Sequence, residues 1–425
     1  MASSPERAVE PLNSRPAAAQ GALVAGVVAL FFLWGSVTSL NDILIPKLKG
    51  LFQLSYAEAM LVQFAFFAAY AVVSLPAGAL VARLGYGKGI ALGVAAMAVG
   101  CAMFAPAAGT ASYGLFLAAL FVVAGGITVL QVAANPLIAN LGARATSHSR
   151  LTLAQAFNSL GTTIAPRIGA TVILGSLAGA GAVVGAGPLT TALRAREAAV
   201  IGDTYLVIAV VLAVIAGLFW IARRRLGGAG EVLIAGGGLA LLRRPRLAMG
   251  VAAIFLYVGA EVSVGSFMVN YLMLPSKLGL SQLAAGEHIS FYWGGAMVGR
   301  FIGAAVLRLI APGKALAGAA AAACALVLVS AATTGGLAGW SLIAVGLVNS
   351  IMFPTIFSLA LEGMGDRTPQ ASGLLCLAIV GGAVVPLLGG VVADATSLSV
   401  ALAVPAACYV AVAAFGWSAR RPVTG

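Results

Sequence analysis

The chain has 425 residues, of which 61% are hydrophobic and 8% charged. A soluble domain carries roughly 25% charged residues, so this composition excludes a water-covered globular surface and describes a protein that crosses a membrane many times. The 24 Lys and Arg against 12 Asp and Glu give a net charge of +12; because the basic residues fall in loops between apolar stretches, this is a mark of topology and not of nucleic-acid binding.

The first 21 residues are polar and carry Pro5, Pro11 and Pro16. They contain no short apolar region ending in a cleavage site, so the first span is expected to act as its own insertion signal. A spanning helix needs about 20 mostly apolar residues. Twelve runs qualify, at approximately 22–46, 57–82, 88–108, 112–140, 150–176, 204–222, 247–273, 282–308, 314–334, 338–362, 370–393 and 398–418. The stretch 168–203 reads as a Gly/Ala-rich end to the fifth span followed by a loop. The fold class expected is all-α and integral to the membrane: an N-terminal tail at 1–21, a six-helix bundle at 22–222, a basic cytoplasmic linker at 223–246, a second six-helix bundle at 247–418 and a tail at 419–425. The 54 glycines suit such bundles, since lipid gives helices no hydrophobic reason to associate and close packing must do so. With the N-terminus inside, 17 Lys and Arg lie on the cytoplasmic side and five on the outer side. That bias predicts that both termini are cytoplasmic.

The halves echo each other. Gln131 precedes Pro136 by five residues in span four, as Asn349 precedes Pro354 in span ten. Pro166 and Gly169 in span five match Pro386 and Gly389 in span eleven. Short basic loops follow spans two and eight, with Arg83 and Lys88 in one and Arg308 and Lys314 in the other. Duplicated six-helix halves are the layout of alternating-access transporters, whose substrate site lies between the halves near the midplane.

Ionisable groups inside spans are functional candidates, because insertion of a carboxylate costs about 2.5–3.5 kcal/mol. Asp42 and Glu261 are the two acids that hydropathy places in long apolar runs. Trp34, Thr38, Asn41 and Asp42 share one face of span one. Asp42 is either an interface carboxylate near Lys47 or Lys49, or, on a longer helix kinked at Pro46, part of the cavity. Thr128, Gln131 and Asn135 share a face of span four, and Gln155, Asn158, Ser159 and Thr162 a face of span five. Amides donate and accept, as sugar hydroxyls do, so these faces are candidate linings for a polyhydroxyl ligand; helix–helix hydrogen bonding is the alternative use. In span seven Tyr257 lies one turn from Glu261, which has no cation on its own helix. Tyr292, Trp293 and Phe353 are candidate stacking residues. Arg300 is expected to snorkel toward the cytoplasm. Cys101, Cys324, Cys376 and Cys408 form no metal spacing and read as small buried hydrophobes. His148 falls in a loop and His288 near the outer end of span eight, neither beside a second ligand type, so no metal and no cofactor is expected.

The segments Asn41-Asp-Ile-Leu-Ile-Pro46, Leu61-Val-Gln-Phe-Ala-Phe66, Leu75-Pro-Ala-Gly78, Ala133-Ala-Asn-Pro136, Leu153-Ala-Gln-Ala-Phe-Asn-Ser159, Tyr257-Val-Gly-Ala260, Gly299-Arg-Phe301 and Phe353-Pro-Thr-Ile-Phe-Ser358 resemble the fucose–galactose–glucose/proton symporter group of the major facilitator superfamily. They run in order through nearly all the spans. The resemblance implies twelve helices in two pseudosymmetric bundles, sugar uptake driven by protons, Asp42 as a coupling carboxylate in the cavity, and Gln155 and Asn158 facing sugar. Two positions depart from the fucose pattern: Gln131 stands where fucose carriers have a glutamate, and Glu261 where they have an amide. Both point to the glucose/galactose branch. Ala82 replaces the aspartate common before the arginine of the loop after span two.

The expectation is therefore a symporter, not an enzyme, that imports a neutral hexose with a proton. Asp42 and Glu261 would carry coupling, and Asn41, Gln131, Asn135, Gln155, Asn158, Tyr257, Trp293 and Asn349 would hold sugar. It would work as a monomer in a bacterial inner membrane. Rival readings are a sodium-coupled or uncoupled hexose carrier, an L-fucose/proton symporter and, more distantly, a drug/proton antiporter. The amide faces weigh against the last, since drug sites are lined mostly by apolar and aromatic groups.

Overall fold

The structure, a computed structural model, describes residues 17–54, 56–141, 143–169, 191–223 and 238–421. These form sixteen α-helices: α1 (Ala17–Phe52), α2 (Tyr56–Leu84), α3 (Tyr86–Ala102), α4 (Phe104–Gly109), α5 (Tyr113–Asn140), α6 (Ser147–Gly169), α7 (Thr191–Ala222), α8 (Pro245–Met273), α9 (Gln282–Val306), α10 (Pro312–Ala332), α11 (Gly335–Asn349), α12 (Met352–Leu361), α13 (Thr368–Leu377), α14 (Gly381–Ala395), α15 (Leu398–Ala401) and α16 (Ala403–Ser418). Joined end to end where they are only locally interrupted (α3 with α4, α11 with α12, α13 with α14, α15 with α16), they make twelve rods in the twelve expected places. Ten are long and apolar enough to cross a membrane; the remaining two are α6 and α9.

The rods differ from the hydropathy reading at breaks and ends. The interruptions at Met103 and Ser350–Ile351 precede Pro106 and Pro354, whose missing N–H and ring clash disturb the preceding turn; a third lies at Ala378–Val380. α7 begins at Thr191, inside the expected loop, because Ala, Leu, Arg and Glu of the sequence Ala192-Leu-Arg-Ala-Arg-Glu197 form helix well although three of the six are charged; residues 170–190 lie outside the described residues. Glu197 thereby joins the acids carried on membrane-spanning helices, and it forms a buried ion pair with Lys47 of α1. His148, expected in a loop, is the second residue of α6. Of the basic linker, 224–237 lie outside the described residues, and Gly238–Arg243 form a 3₁₀ turn.

α1 to α7 pack on one another, as do α8 to α16. Across the halves, α2 packs on α13, and α6 on α9 and α12. The α2–α13 and α6–α9 contacts exchange under the internal duplication, so the halves are related by a pseudo-two-fold. Glycine sets the closest approach inside the first half: a Cβ on Gly35 of α1 would strike the Asn158 carbonyl of α6, and one on Gly161 of α6 would strike that of Phe32.

Polar contacts between the halves gather at the end that bears the basic loops. His148 Nδ1 lies 2.6 Å from Ser358 Oγ and its Nε2 is 3.4 Å from Glu362, which also pairs with Arg246. Arg308 Nε donates to Ser149 Oγ at 3.3 Å, and Ser149 donates to the Ala304 carbonyl. Farther along α6, Thr163 Oγ1 meets Met297 Sδ at 3.6 Å. The halves are thus latched at the basic-loop end.

Candidate substrate site

The site is built in the interior of the bundles by prolines and the amides that precede them. Pro136 within α5 has no N–H for the Val132 carbonyl four residues back; Ser372 Oγ of α13 donates to that carbonyl at 2.9 Å, from the other half. Pro354 leaves the Ser350 carbonyl free in the same way, and Arg300 Nε of α9 donates to it at 3.3 Å. In lipid a freed backbone group must find such a partner, so the two prolines recruit specific side chains to equivalent places in the two halves.

One turn before each proline, the amide meets a tyrosine. Gln131 Nε2 donates to Tyr70 Oη of α2 at 2.6 Å, and Asn349 Nδ2 donates to Tyr292 Oη of α9 at 3.0 Å. The second half extends this pair into a ring. Tyr292 Oη donates to the Glu261 carbonyl at 3.2 Å, while Tyr257 Oη lies 2.8 Å from Glu261 Oε1 and 3.2 Å from the Asn349 carbonyl. Glu261 is therefore held from three sides, its side chain 13% exposed, with Arg300 Nη2 3.9 Å from Oε1 and itself 14% exposed. Arg300 Nη1 also donates to Ser159 Oγ of α6. Arg300 does not snorkel outward: the ion pair, the freed carbonyl and a hydroxyl of the opposite half draw it inward, and one cation touches both halves and the only charge in the ring.

The sequence-stated candidates separate into groups. Glu261, Tyr257 and Asn349 are brought together, with Tyr257 and Asn349 fully buried behind the carboxylate, so they position it. Gln155 is nearly buried, one turn from Ser159 and thus on the Arg300-facing side of α6. Asn158 is partly exposed, and its Nδ2 donates to the Phe31 carbonyl of α1 at 2.9 Å, which leaves its oxygen. Trp34 stacks on Phe31 with centroids 4.1 Å apart. Trp293 is 44% exposed, edge-on to Tyr292 and seated over Gly265. Asn135 is fully buried with neither side-chain polar atom partnered. The helical backbone of α1 passes through Asn41 and Asp42, but their side chains, and that of Arg167, lie outside the described residues. Sequence reasoning missed Ser159 as the cross-half partner of Arg300, and Ser372; the prolines whose carbonyls need partners were the available signal.

Two helical bundles that latch at one end, around an interior centre of amides, tyrosines and one buried ion pair, define a membrane carrier. The Major Facilitator Superfamily model matches residues 23–379. A glucose/galactose transporter of Brucella abortus biovar 1 (strain 9-941) is 51% identical over 398 residues, covering 93% of each chain. An L-fucose-proton symporter of Escherichia coli K12 is 33% identical over 403 residues, covering 91% of this chain and 90% of its own. The crystal structure of FucP, a Major Facilitator Superfamily transporter in the outward conformation, superposes with a TM-score of 0.83 at 30% identity, covering 94% of this chain and 99% of its own. The chain belongs to the Major Facilitator Superfamily and, within it, to the fucose–galactose–glucose/proton symporter family; it is a multi-pass membrane transporter and not an enzyme.

Proposed function

We propose that this protein imports a neutral hexose, glucose or galactose, together with a proton. It would do so as a monomer in a bacterial inner membrane with both termini in the cytoplasm. The bundles 22–222 and 247–418 would act as the two rocking bodies around a shared cavity, and the latched end would be the cytoplasmic one, so that the cavity faces outward.

The observation that carries this reading is the Glu261–Arg300 pair: the carboxylate sits in the second half, and its cation also grips Ser159 of the first. A proton on Glu261 would weaken its hold on Arg300 and so alter a link between the bodies that must move. Gln131, Gln155 and Asn158 offer uncharged donors and acceptors to sugar hydroxyls. Asp42, in the motif shared with the family, would be the second coupling acid, acting from the first half, with Asn41 beside it. The 51% identity to a glucose/galactose transporter and the Gln131–Glu261 pattern support hexoses over L-fucose, and the relatives named as proton symporters support proton over sodium.

Uptake of a labelled hexose panel into proteoliposomes under imposed pH or sodium gradients tests this directly. Accumulation driven by sodium, or unaffected by either gradient, would refute proton coupling. Asp42→Asn is expected to abolish accumulation while sparing hexose exchange, and Glu261→Gln to change the pH dependence of transport; a Glu261→Gln protein with an unaltered pH profile would make Glu261 structural.

A further inference from the structure

Three polar side chains lie between the interior site and the latch without a hydrogen-bond partner among the described residues: Asn135 of α5, Thr152 of α6 and Thr355 of α12. All three are fully buried. Asn135 lies five residues before the end of α5, Thr152 five after the start of α6, and Thr355 six before the end of α12, so each is about 7–9 Å inside the basic-loop end of its helix at about 1.5 Å per residue. The three helices pack on one another, so both halves bring such groups to a similar depth, here called the layer.

The layer continues the polar faces of the site. Asn135 follows Gln131 by one turn, and Thr152 precedes Gln155 by one turn, each on the same helical face. Thr355 is followed one turn later by Ser358, which meets His148 in the latch. A threonine inside a helix ordinarily turns its hydroxyl to the carbonyl four residues back, as buried Thr128 does to Ala124 and half-buried Thr163 to Ser159. Thr152 and Thr355 do not. An unmade hydrogen bond in a buried site is expensive, so the layer destabilises the latched state and favours whatever state supplies partners.

We propose that Asn135, Thr152 and Thr355 form an inner hexose station, closed in this conformation, which takes sugar hydroxyls as the halves part at the latch. Its chemistry fits that ligand: two hydroxyls and one amide offer donors and acceptors together and no charge. The station rests on the reading of the protein as a hexose carrier whose latched end faces the cytoplasm.

The test uses full-length protein in proteoliposomes, with radiolabelled glucose and galactose. The double substitution Thr152→Val with Thr355→Val is nearly isosteric; it is expected to slow counterflow about tenfold while hexose binding in detergent stays within about twofold, the scale of lost hydrogen bonds. Thr152→Ser with Thr355→Ser, which restores hydroxyls, should recover most of the rate. A cysteine introduced by Thr152→Cys should react, above the background of the parent, with a membrane-impermeant thiol reagent at the basic-loop face during turnover and not at rest. Parent-like counterflow in the valine protein, equal loss of binding and counterflow, or no labelling above background would each overturn the station while leaving hexose transport standing. A parent that binds and exchanges neither sugar removes both.

Discussion

The two halves begin from the same device and finish it differently. Each has a proline that frees a carbonyl and an amide that meets a tyrosine: Gln131 with Tyr70 in the first half, Asn349 with Tyr292 in the second. In the first half the pair has no further hydrogen-bond partner among the described residues, and the freed Val132 carbonyl is taken by a neutral serine of the other half. In the second, Tyr257, Glu261 and Arg300 extend the pair into a charged ring, and the freed Ser350 carbonyl is taken by the arginine itself. Duplication supplied the scaffold, and divergence left amides on one wall and an ion pair on the other. The described amides of the first wall are suited to recognising an uncharged ligand, and the ion pair of the second to registering a change of charge.

The largest effect should come from the charged wall. Arg300→Gln strands Glu261, the Ser350 carbonyl and Ser159 at once; breaking a buried pair costs about 3–5 kcal/mol. A loss of about 3 kcal/mol is expected in denaturation of the purified protein, with transport abolished. A near-native midpoint would show that the ion pair is not the keystone of that half. Next comes the packing of the first wall: Gly161→Val drives a side chain into the Phe32 carbonyl, and overpacking of this kind costs about 1–3 kcal/mol. Its stability should fall while any hexose binding that survives keeps its pH dependence, the reverse of Glu261→Gln. Ser372→Ala leaves the Val132 carbonyl buried and unpaired, at about 1–2 kcal/mol, and because that bond joins the halves the loss should raise thiol labelling at the latched end. The smallest effect sharpens the comparison most. Tyr70→Phe and Tyr292→Phe each lose about 1 kcal/mol, but Tyr292→Phe should cost more because Tyr292 also donates to the Glu261 carbonyl. Equal losses would mean the ring adds nothing to the pair.

Much of this was legible in the sequence because lipid simplifies the code. Twelve apolar runs gave twelve rods, and the Gln131–Pro136 and Asn349–Pro354 repeats marked places the structure treats as equivalent. What was not legible depends on partners far apart in sequence. Arg300 looked like a snorkelling residue from its distance to the span end; only the meeting of α9 with α6 and α8 gives it Ser159 and Glu261 as partners. Lys47 pairs with Glu197, a partner hidden from the sequence because the helix containing Glu197 begins well before its apolar stretch. Asn135, Gln131 and Thr128 share a face by spacing alone, yet Gln131 meets a tyrosine, Thr128 bonds its own helix and Asn135 has no hydrogen-bond partner among the described residues. Spacing fixes a face, while the neighbouring helix decides what each group on it does.

Among the described residues, the two rods too polar to count as membrane spans by composition, α6 and α9, also pack on each other across the halves. This has a consequence for biosynthesis. A segment that lipid does not favour must be sheltered by protein as it leaves the insertion machinery. α6 emerges after α1, against which it packs and to whose Phe31 carbonyl Asn158 is bonded, so the first half can shelter its own polar helix. α9 emerges later, and Arg300 finds its hydroxyl partner on α6. The N-terminal bundle is then a template on which the C-terminal bundle is assembled, and expressing the two halves as separate chains should leave the first inserted alone and the second dependent on its co-expression.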